Sequence, residues 1–449
     1  MINNPELLRN FWLEITPHRL IVMPLVLGLA FMLSVVANDN QLGDPTATTA
    51  IYLFVAVVLA WGTRQAAVSV ADEIDGKTWD TQRMSALTPW QLTWGKLLGA
   101  NVFTWYGGAL CLLVYAAARG SGPLSTPAAL ALAIGTALIL HASSMLSSLL
   151  APRASRSTRS PMILLMLVLI LSGWAPYTRW FSEESLEIVW FGLNYRGSEF
   201  GLVTVWLFAA WAVFAAYRAM CTELQVRTTP AAWLAFAIFL TVYLSGIVAG
   251  EVGHAGSGHV VVLAVGFSVA VAMSALSVWW ERRDIVTLRR IGLAFSGRQW
   301  RRLLEEMPVW AVTAGLALIC AVLLLLNFDT PLPIDGPAGK LRGWVPLSVF
   351  LLMLRDIGLL YFFSLADNPR RAAFATLVYL GLLYGLLPAL LNAMNLKWVA
   401  MLVLPPLLTE PTLGVLIAGL HVVLVMLLLR RRWERRGKTS GSGPSIGLR

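Results

Sequence analysis

The sequence predicts an all-α polytopic membrane protein with about 12 transmembrane helices in two pseudo-repeated six-helix halves. Three observations predict a polytopic membrane protein: a mean hydropathy of +0.70, a hydrophobic share of 57% among 449 residues, and only 13% charged residues. A soluble chain carries about a quarter charged residues. The composition therefore excludes a soluble enzyme, a disordered scaffold and a nucleic-acid-binding domain.

Twelve apolar stretches are long enough to cross a bilayer. A spanning helix needs about 20 apolar residues and must satisfy its backbone hydrogen bonds within the segment. The predicted spans of the first half are 20–37, 50–70, 95–118, 125–150, 161–177 and 200–220. Those of the second half are 231–250, 258–280, 308–327, 344–365, 372–393 and 412–430.

The basic residues predict the orientation. Of the 34 Lys and Arg residues, 27 fall in the predicted inner loops or at span ends beside them, and six fall on the outer side. Since positive charge stays on the cytoplasmic side, both termini are predicted to be cytoplasmic. The net charge of +10 then reflects membrane orientation. We expect membrane lipid as a partner and no nucleic acid.

The domain organisation predicted from these patterns has four parts. Residues 1–19 form a cytoplasmic interfacial amphipathic helix, with Asn4 as N-cap and Pro5 in its first turn; a simple anchoring lead-in is the alternative. The first six-span half covers 20–222. The second covers 223–430, and 431–449 form a basic cytoplasmic tail that is disordered.

The two halves repeat each other. The loops after the second and eighth spans align without gaps at an offset of 208, so that Glu73 meets Glu281 and Gln91 meets Gln299. Before the last span of each half lies a short segment, 182–196 or 397–410, which we expect to form a short helix in the outer leaflet. Matching loops and span counts predict a parallel duplication.

The loop 72–97 reads DEIDGKTWDTQRMSALTPWQLTWGKL. It is longer than a tight connector requires. Its acids crowd the start, 82–87 are predicted as a short helix, and Thr88-Pro89 is expected to end that helix. Gly95-Lys96 marks re-entry into the membrane. A short helix held between two spans would act as a lever.

This loop resembles the signature of type-2 ABC-transporter permeases. The residues that carry the resemblance are Glu73, Gly76, Thr78, Asp80, Arg83, Leu87, Thr88 and Pro89, with Gly95-Lys96 behind them. Lys77, inserted between glycine and threonine, departs from the pattern. The resemblance implies that the loop is a coupling helix that docks on an ATPase subunit. It also implies that the chain is two six-span subunits fused.

The second loop, 281–307, is a degenerate and more basic version of the first. The resemblance assigns ATPase coupling there to Ser296, Gly297 and Gln299. Alternatively, its arginines simply follow the positive-inside bias or meet anionic lipid.

The sequence contains no ATPase signature of its own. A P-loop requires G-x-x-x-x-G-K-[ST] after a strand. Only Gly437-Lys438-Thr439 comes close, with an arginine where the first glycine should stand. We therefore expect a chain that is not an enzyme and holds no metal or cofactor, with ATP and Mg bound by one or more partner ATPase chains. Whether the same transporter has further subunits stays an open question at this point.

Three ionisable residues well inside predicted spans are singled out, because such residues are costly there and often functional. Arg355 and Asp356 lie in the tenth span. His141 lies in the fourth, opposite Asp356 when the two halves are aligned. They are candidates for a translocation path, or alternatively for a buried polar clamp between the halves.

These observations predict the permease subunit of an ATP-driven ABC exporter. It would be a multi-pass protein of the bacterial cytoplasmic (inner) membrane, moving a substrate with a separate ATPase subunit. The alternative is an ion- or proton-coupled secondary transporter with 12 spans. An integral membrane enzyme acting on lipid-linked substrates is the third class.

Overall fold

The computed structural model describes residues 4–120, 124–150, 187–252, 258–281, 283, 285–327, 343–366, 371–405 and 411–441. The chain divides into two compact units. The first comprises Met1–Ile188 and Asn194–Thr228, and the second comprises Val189–Leu193 and Thr229–Arg449.

The first unit is helical, with one hairpin at its boundary. Its helices are α1 (Pro5–Glu14), α2 (Pro17–Ala37), α3 (Asp44–Phe54), α4 (Thr63–Asp75), α5 (Trp79–Arg83), α6 (Pro89–Gly99), α7 (Val102–Ala118), α8 (Thr126–Leu150) and α9 (Gly197–Glu223). A π-helical segment, Val55–Gly62, joins α3 to α4. In the core, α8 packs against α4 and α9, and α3 packs against α7.

The second unit is also built from helices. They are α10 (Ala231–Val252), α11 (Gly258–Trp280), α12 (Ile285–Ser296), α13 (Trp300–Glu306), α14 (Val309–Leu326), α15 (Val345–Ser364), α16 (Ala372–Gly381), α17 (Leu387–Ala393), α18 (Lys397–Val403) and α19 (Pro411–Gly441). A π-helical segment, Leu382–Leu386, joins α16 to α17. The core forms where α11 packs on α14 and α15 packs on α19.

The helices confirm a polytopic membrane protein. Among the described residues, ten helices are long and apolar enough to cross a membrane. The number is eleven if α6 and α7, bent by 53°, form one broken span. Those eleven coincide with eleven of the twelve predicted spans. The remaining one, 161–177, lies outside the described residues, so the count of twelve and the placement of the termini stay predictions.

The N-terminal helix begins as predicted. The Asn4 side chain accepts a hydrogen bond from the Glu6 N–H at 3.1 Å, and Pro5 is the first helical residue. Proline suits that position because its missing N–H would have no helical partner there.

The segment predicted as a short helix at 182–196 is instead a β-hairpin where it is described. Strands β1 (Glu187–Trp190) and β2 (Leu193–Arg196) pair in a two-stranded sheet. Phe191 and Gly192 between them have φ of 48° and 78°. Positive φ at both turn residues is the geometry of a type I′ hairpin. The tryptophan, tyrosine and β-branched residues around this turn favour strands.

Two further differences concern the ends of segments in the second unit. The counterpart segment 397–410 does contain a short helix, α18. The tail predicted to be disordered from residue 431 continues as helix α19 to Gly441. An i,i+4 pair between Arg430 and Glu434 at 2.9 Å and a hydrogen bond from Arg432 to the Phe362 carbonyl stabilise this extension.

Candidate functional site

The loop 72–97 starts with a backbone motif that ends α4. The Thr78 N–H donates to the Glu73 carbonyl at 2.9 Å, and Lys77 has a left-handed φ of 58°. This is a Schellman-type C-cap, in which glycine usually takes the left-handed position. Lys77 therefore occupies the turn that separates α4 from α5.

The far end of the loop is a helix start. Thr88 accepts from the Gln91 N–H at 3.2 Å, and the Gln91 side chain accepts from the Thr88 N–H at 2.9 Å. These reciprocal bonds form a capping box with Pro89 at the first helical position. Two predictions are therefore wrong: Thr88-Pro89 begins α6 instead of ending a helix, and the short helix is α5 (Trp79–Arg83), not 82–87.

Four charged side chains from α1, α4 and α6 form a network beneath the loop. The Lys96 ammonium contacts Glu6 Oε1 at 3.3 Å and also contacts Glu73 Oε2. Arg9 bridges the same two acids, at 2.9 Å from Glu6 Oε1. The side chains of Lys96 and Glu6 are only 1% and 3% exposed. Glu73 is 14% exposed and Arg9 is 44% exposed, so the network reaches from the buried pair to the surface.

The short helix α5 is attached to this network by two residues. Gln82 donates its side-chain amide to Glu73 Oε1 at 2.6 Å. Trp79 is buried in the apolar core among residues of α4, α6, α8 and α9, and the Lys96 ammonium lies 5.4 Å from its ring centre. A cation facing a tryptophan ring in a buried setting is favourable. The loop is therefore fixed to the helices that flank it.

Helix α1 lies in close contact with α6. A Cβ on Gly95 would stand 2.5 Å from Glu6 Cγ, and one on Gly99 would stand 2.8 Å from Asn10 Cβ. The side chain of Asn10 donates to the Gly95 carbonyl at 3.2 Å, and that of Asn4 donates to the Gln91 carbonyl at 2.7 Å. Two glycines four residues apart permit this approach of two helices.

One face of α1 packs on the protein, and its apolar face is exposed. Glu6 faces α6, whereas Leu8, Phe11 and Trp12 are exposed, Trp12 by 77%. An apolar face turned outward in a membrane protein suits a helix lying in the interface.

The predicted coupling residues of the first loop fall into two groups. Glu73 belongs to the buried network, Leu87 packs against the apolar core beside it, and Arg83 is mostly covered. Gly76, Thr78, Asp80 and Thr88 are exposed at the tip. The structure also places Met84 there, with 82% of it exposed. The exposed group is available to a partner, and the buried group supports it.

In the second loop the equivalent carboxylate has a different environment. Glu281 accepts a hydrogen bond from the Val309 N–H at the start of α14. Burial raises the pKa of Glu281 to about 7, opposed by backbone hydrogen bonds from Val309 and Trp310 and by the charge of Arg283. A carboxylate at a helix N-terminus satisfies an otherwise unpaired N–H. The position equivalent to Lys96 is Leu304, which is 53% exposed.

The other predicted residues of the second loop lie at the end of α12. Ser296 is its last residue, and Gly297 follows. Arg298 has a φ of 52°, and the Gln299 N–H donates to the Ala294 carbonyl at 2.9 Å. Ser296, Gly297 and Gln299 are all exposed.

His141 is fully buried in the first unit. Its Nε2 lies 2.9 Å from the Val58 carbonyl, and its ring stands edge-on to that of Trp105, with centroids 5.5 Å apart. Val58 belongs to the π-helical segment Val55–Gly62, and such segments are frequent at functional sites. Because His141 and Asp356 lie in different units, their predicted apposition stays a prediction.

In the second unit, Arg355 and Asp356 pair with each other. Arg355 Nη2 lies 2.7 Å from Asp356 Oδ1, and Tyr384 of the π-helical segment donates its hydroxyl to Asp356 Oδ2 at 2.6 Å. Asp356 and Tyr384 also line a mostly apolar cavity of about 380 Å³, together with Trp279. This cluster joins α15 to the π-helical segment and presents one carboxylate to the cavity.

Three members of the buried network, Glu6, Arg9 and Lys96, are absent from the predicted site residues. The sequence does contain Gly95-Lys96 as a motif, but it gives no sign that the lysine is buried. Glu6 is 90 positions from Lys96. Only the packing of α1 on α6 brings them together.

Comparisons of the chain with protein-family models, curated proteins and solved structures found no match.

Proposed function

We propose that the chain is the membrane subunit of an ATP-driven exporter of the type-2 ABC class. It would have twelve spans and cytoplasmic termini in a bacterial inner membrane, and would work with a separate ATPase. The observation that carries the proposal is the buried network of Glu6, Arg9, Glu73 and Lys96 beneath the loop 72–97.

The network supports this function because it holds the loop 72–97 rigidly against α4 and α6. Separating Lys96 from Glu6 would leave both charges unpaired in the interior, which is strongly unfavourable. A force applied at α5 then reaches α4 and α6 together instead of being absorbed by the loop. An energy-coupling loop requires that property, and a simple connector does not.

The exposed tip supplies a surface for the ATPase. Thr78 and Asp80 are polar and exposed, and Met84 projects beside them as a flexible apolar side chain of the kind enriched at protein interfaces. In the proposed assembly these residues contact the ATPase, while Glu73, Lys96 and Glu6 pass the displacement to the spans.

Co-purification tests the proposal. The chain is isolated from its native membrane in a mild detergent, and co-purifying proteins are identified by mass spectrometry. We expect an ATP-binding protein in the wild-type preparation and its loss on substitution Asp80→Lys. Asp80 forms a surface pair with Arg83 at 3.5 Å, and such exposed pairs contribute little to stability.

Asp39→Lys is the matched control, because Asp39 is also exposed but lies in another loop. This variant should retain the ATP-binding protein. Isolation of the wild-type chain without any ATP-binding protein, or equal loss in both variants, would contradict the proposal.

A proton- or ion-coupled secondary transporter is the second candidate, favoured by Asp356. That carboxylate lies in a candidate span, pairs with Arg355 and Tyr384, and faces the cavity. Intramembrane carboxylates of this kind mark ion pathways in pumps and transporters.

The two functions differ in their energy source. In inside-out vesicles with an imposed proton gradient, transport by a proton-coupled transporter continues without ATP and stops when a protonophore collapses the gradient. Asp356→Asn would then abolish transport. For the exporter, transport requires ATP and survives the protonophore.

A further inference from the structure

A large apolar surface of the second unit lies on the two helices of the loop 281–307. Five large apolar side chains there are each more than half exposed: Val286, Leu293, Phe295, Trp300 and Leu304. Leaving so much apolar surface in water is unfavourable. Something must cover it in the membrane-bound protein.

The pattern on α12 is that of a helix lying at a membrane surface. Val286 and Leu293 are seven residues apart and lie on nearly the same side. Arg289 falls roughly 60° to one side of Val286 and Arg290 roughly 40° to the other, at about 100° per residue. The opposite side carries Leu288, which packs against the core of the second unit. An outward apolar stripe flanked by arginines is typical of interfacial helices.

Helix α13 continues this surface. Trp300 and Leu304, one turn apart, are exposed together. The Trp300 ring meets that of Phe295 edge-on, with centroids 6.4 Å apart. On the neighbouring side, Arg301 and Arg302 pair with Glu305 and Glu306 at 3.6 and 3.1 Å. The aromatic pair joins the two helices into one apolar surface.

The charge of the loop 281–307 indicates which kind of partner covers this apolar surface. Residues 281–307 contain seven arginines against four acids, a net charge of +3, whereas 72–97 contain three bases against four acids, a net charge of −1. Within the described part of the chain, no acidic side chain pairs with Arg290 or Arg298. The second loop therefore offers cationic groups to an anionic partner.

The position of the loop in the chain indicates where that partner lies. Helix α11 ends at Trp280, and α14 begins at Val309; both are candidate spans. With both ends held at the end of a span, α12 and α13 stay close to the membrane surface. Anionic lipid headgroups attract basic residues within that distance.

We propose that α12 and α13 form an interfacial segment that binds anionic phospholipid of the predicted cytoplasmic leaflet. The apolar side chains Val286, Leu293 and Trp300 enter the acyl-chain boundary, and Arg289, Arg290 and Arg298 bind lipid phosphates. This inference goes beyond the proposed function, because it requires no ATPase and assigns the second loop to lipid.

The test uses the purified full chain in nanodiscs. All three native cysteines are buried, so a thiol-reactive bimane label can be placed at Leu293→Cys alone. With 30% phosphatidylglycerol in phosphatidylcholine, the label should be quenched by lipids carrying a doxyl group near the headgroup and protected from aqueous iodide. Met84→Cys in the first loop is the matched control and should be quenched by iodide.

The charge requirement is tested by reversal. The affinity of the chain for phosphatidylglycerol is measured by competition with phosphatidylcholine. R289E/R290E/R298E should lower this affinity at least about tenfold, because each basic residue is attracted to an anionic surface. R289K/R290K/R298K should retain the affinity for phosphatidylglycerol, because a lipid phosphate attracts any positive charge and does not require a guanidinium group. Monodisperse elution of each variant shows that it is folded.

Two results would overturn the proposal. One is iodide quenching at Leu293→Cys that equals the quenching at Met84→Cys in the same phosphatidylglycerol nanodiscs. The other is protection of that label only when soluble protein from the native cell is added, which would assign the surface to a protein partner.

Discussion

The two loops at offset 208 hold an equivalent carboxylate in different ways. Glu73 is bound by Lys96 and Arg9 and fastens α1 to α4 and α6. Glu281 has Leu304 at the lysine's position and binds the backbone at the start of α14. Lys96 together with Arg9 of α1 therefore joins Glu73 to neighbouring helices, whereas Glu281 only caps the next one. The first loop is built for rigidity, and the second presents an apolar and basic surface.

The largest expected effect comes from removing that lysine. Lys96→Met leaves Glu6 and Glu73 buried with only the partly exposed Arg9, which should cost about 3–5 kcal/mol. Thermal unfolding in detergent, followed by intrinsic tryptophan fluorescence, measures the loss. The matched variant Leu304→Met in the second loop should change stability by no more than about 0.5 kcal/mol. Equal effects in the two loops would contradict the comparison.

Alanine in place of glycine should act with opposite signs in the two loops. At Gly95 the new Cβ meets Glu6 Cγ at 2.5 Å and the Leu7 N atom at 3.2 Å, so α1 must shift at a cost of about 1–3 kcal/mol. At Gly292 in α12 nothing lies within 4 Å, and Gly292→Ala should stabilise the helix by about 0.5–1 kcal/mol. Unfolding midpoints of the two variants test this. Destabilisation by Gly292→Ala would show that α12 is covered by other parts of the protein.

The pH dependence of stability should show the raised pKa of Glu281 in the second loop. The folded-state pKa of Glu281, about 7, lies above the ordinary value of 4.5. Its contribution to stability is therefore complete below the ordinary value and is lost as the pH rises through 7. Between pH 5 and pH 8, the wild type should lose about 1–3 kcal/mol relative to Glu281→Gln. Unfolding midpoints of both proteins across this range measure the difference, and parallel curves would contradict it.

A further small effect concerns the helix start in the first loop. Thr88→Ala removes the capping box of α6 and should cost about 1 kcal/mol. Hydrogen exchange at the first-turn amides of α6 should accelerate. Thr78→Ala is the control, because the Thr78 hydroxyl only donates to the Glu73 carbonyl at 3.2 Å. Unchanged exchange in Thr88→Ala would show that the cap is not what holds this helix end.

The spans were predictable because a hydrophobic stretch of about 20 residues has few folded alternatives in lipid. The helix start at Thr88 was missed because Thr88-Pro89 was interpreted as the end of the preceding helix, although Thr-x-x-Gln with proline at the first position is a known helix start. The hairpin at 187–196 was missed because its apolar and aromatic residues suit a short interfacial helix as well. The Phe191-Gly192 turn and the tyrosine and β-branched residues beside it are what favour the hairpin.

The buried network could not be predicted from the sequence. Glu6 and Lys96 come together only when α1 packs on α6, and that contact depends on the small volume of Gly95 and Gly99. A lysine at the end of a predicted span, such as Lys96, is interpreted by default as solvated. Lys96 is only 1% exposed. This burial depends on tertiary packing, because Glu6 and Glu73 must be in place to pair with its charge.

Site-specific cross-linking in native membranes tests the difference between the loops most directly. Met84→Cys and Leu293→Cys, each on the background of buried native cysteines, are labelled with the same photoreactive thiol reagent. We predict that position 84 cross-links to an ATP-binding protein and that position 293 cross-links to phospholipid. Cross-linking of position 293 to the same ATP-binding protein with equal yield, or of neither position to any protein, would contradict the account.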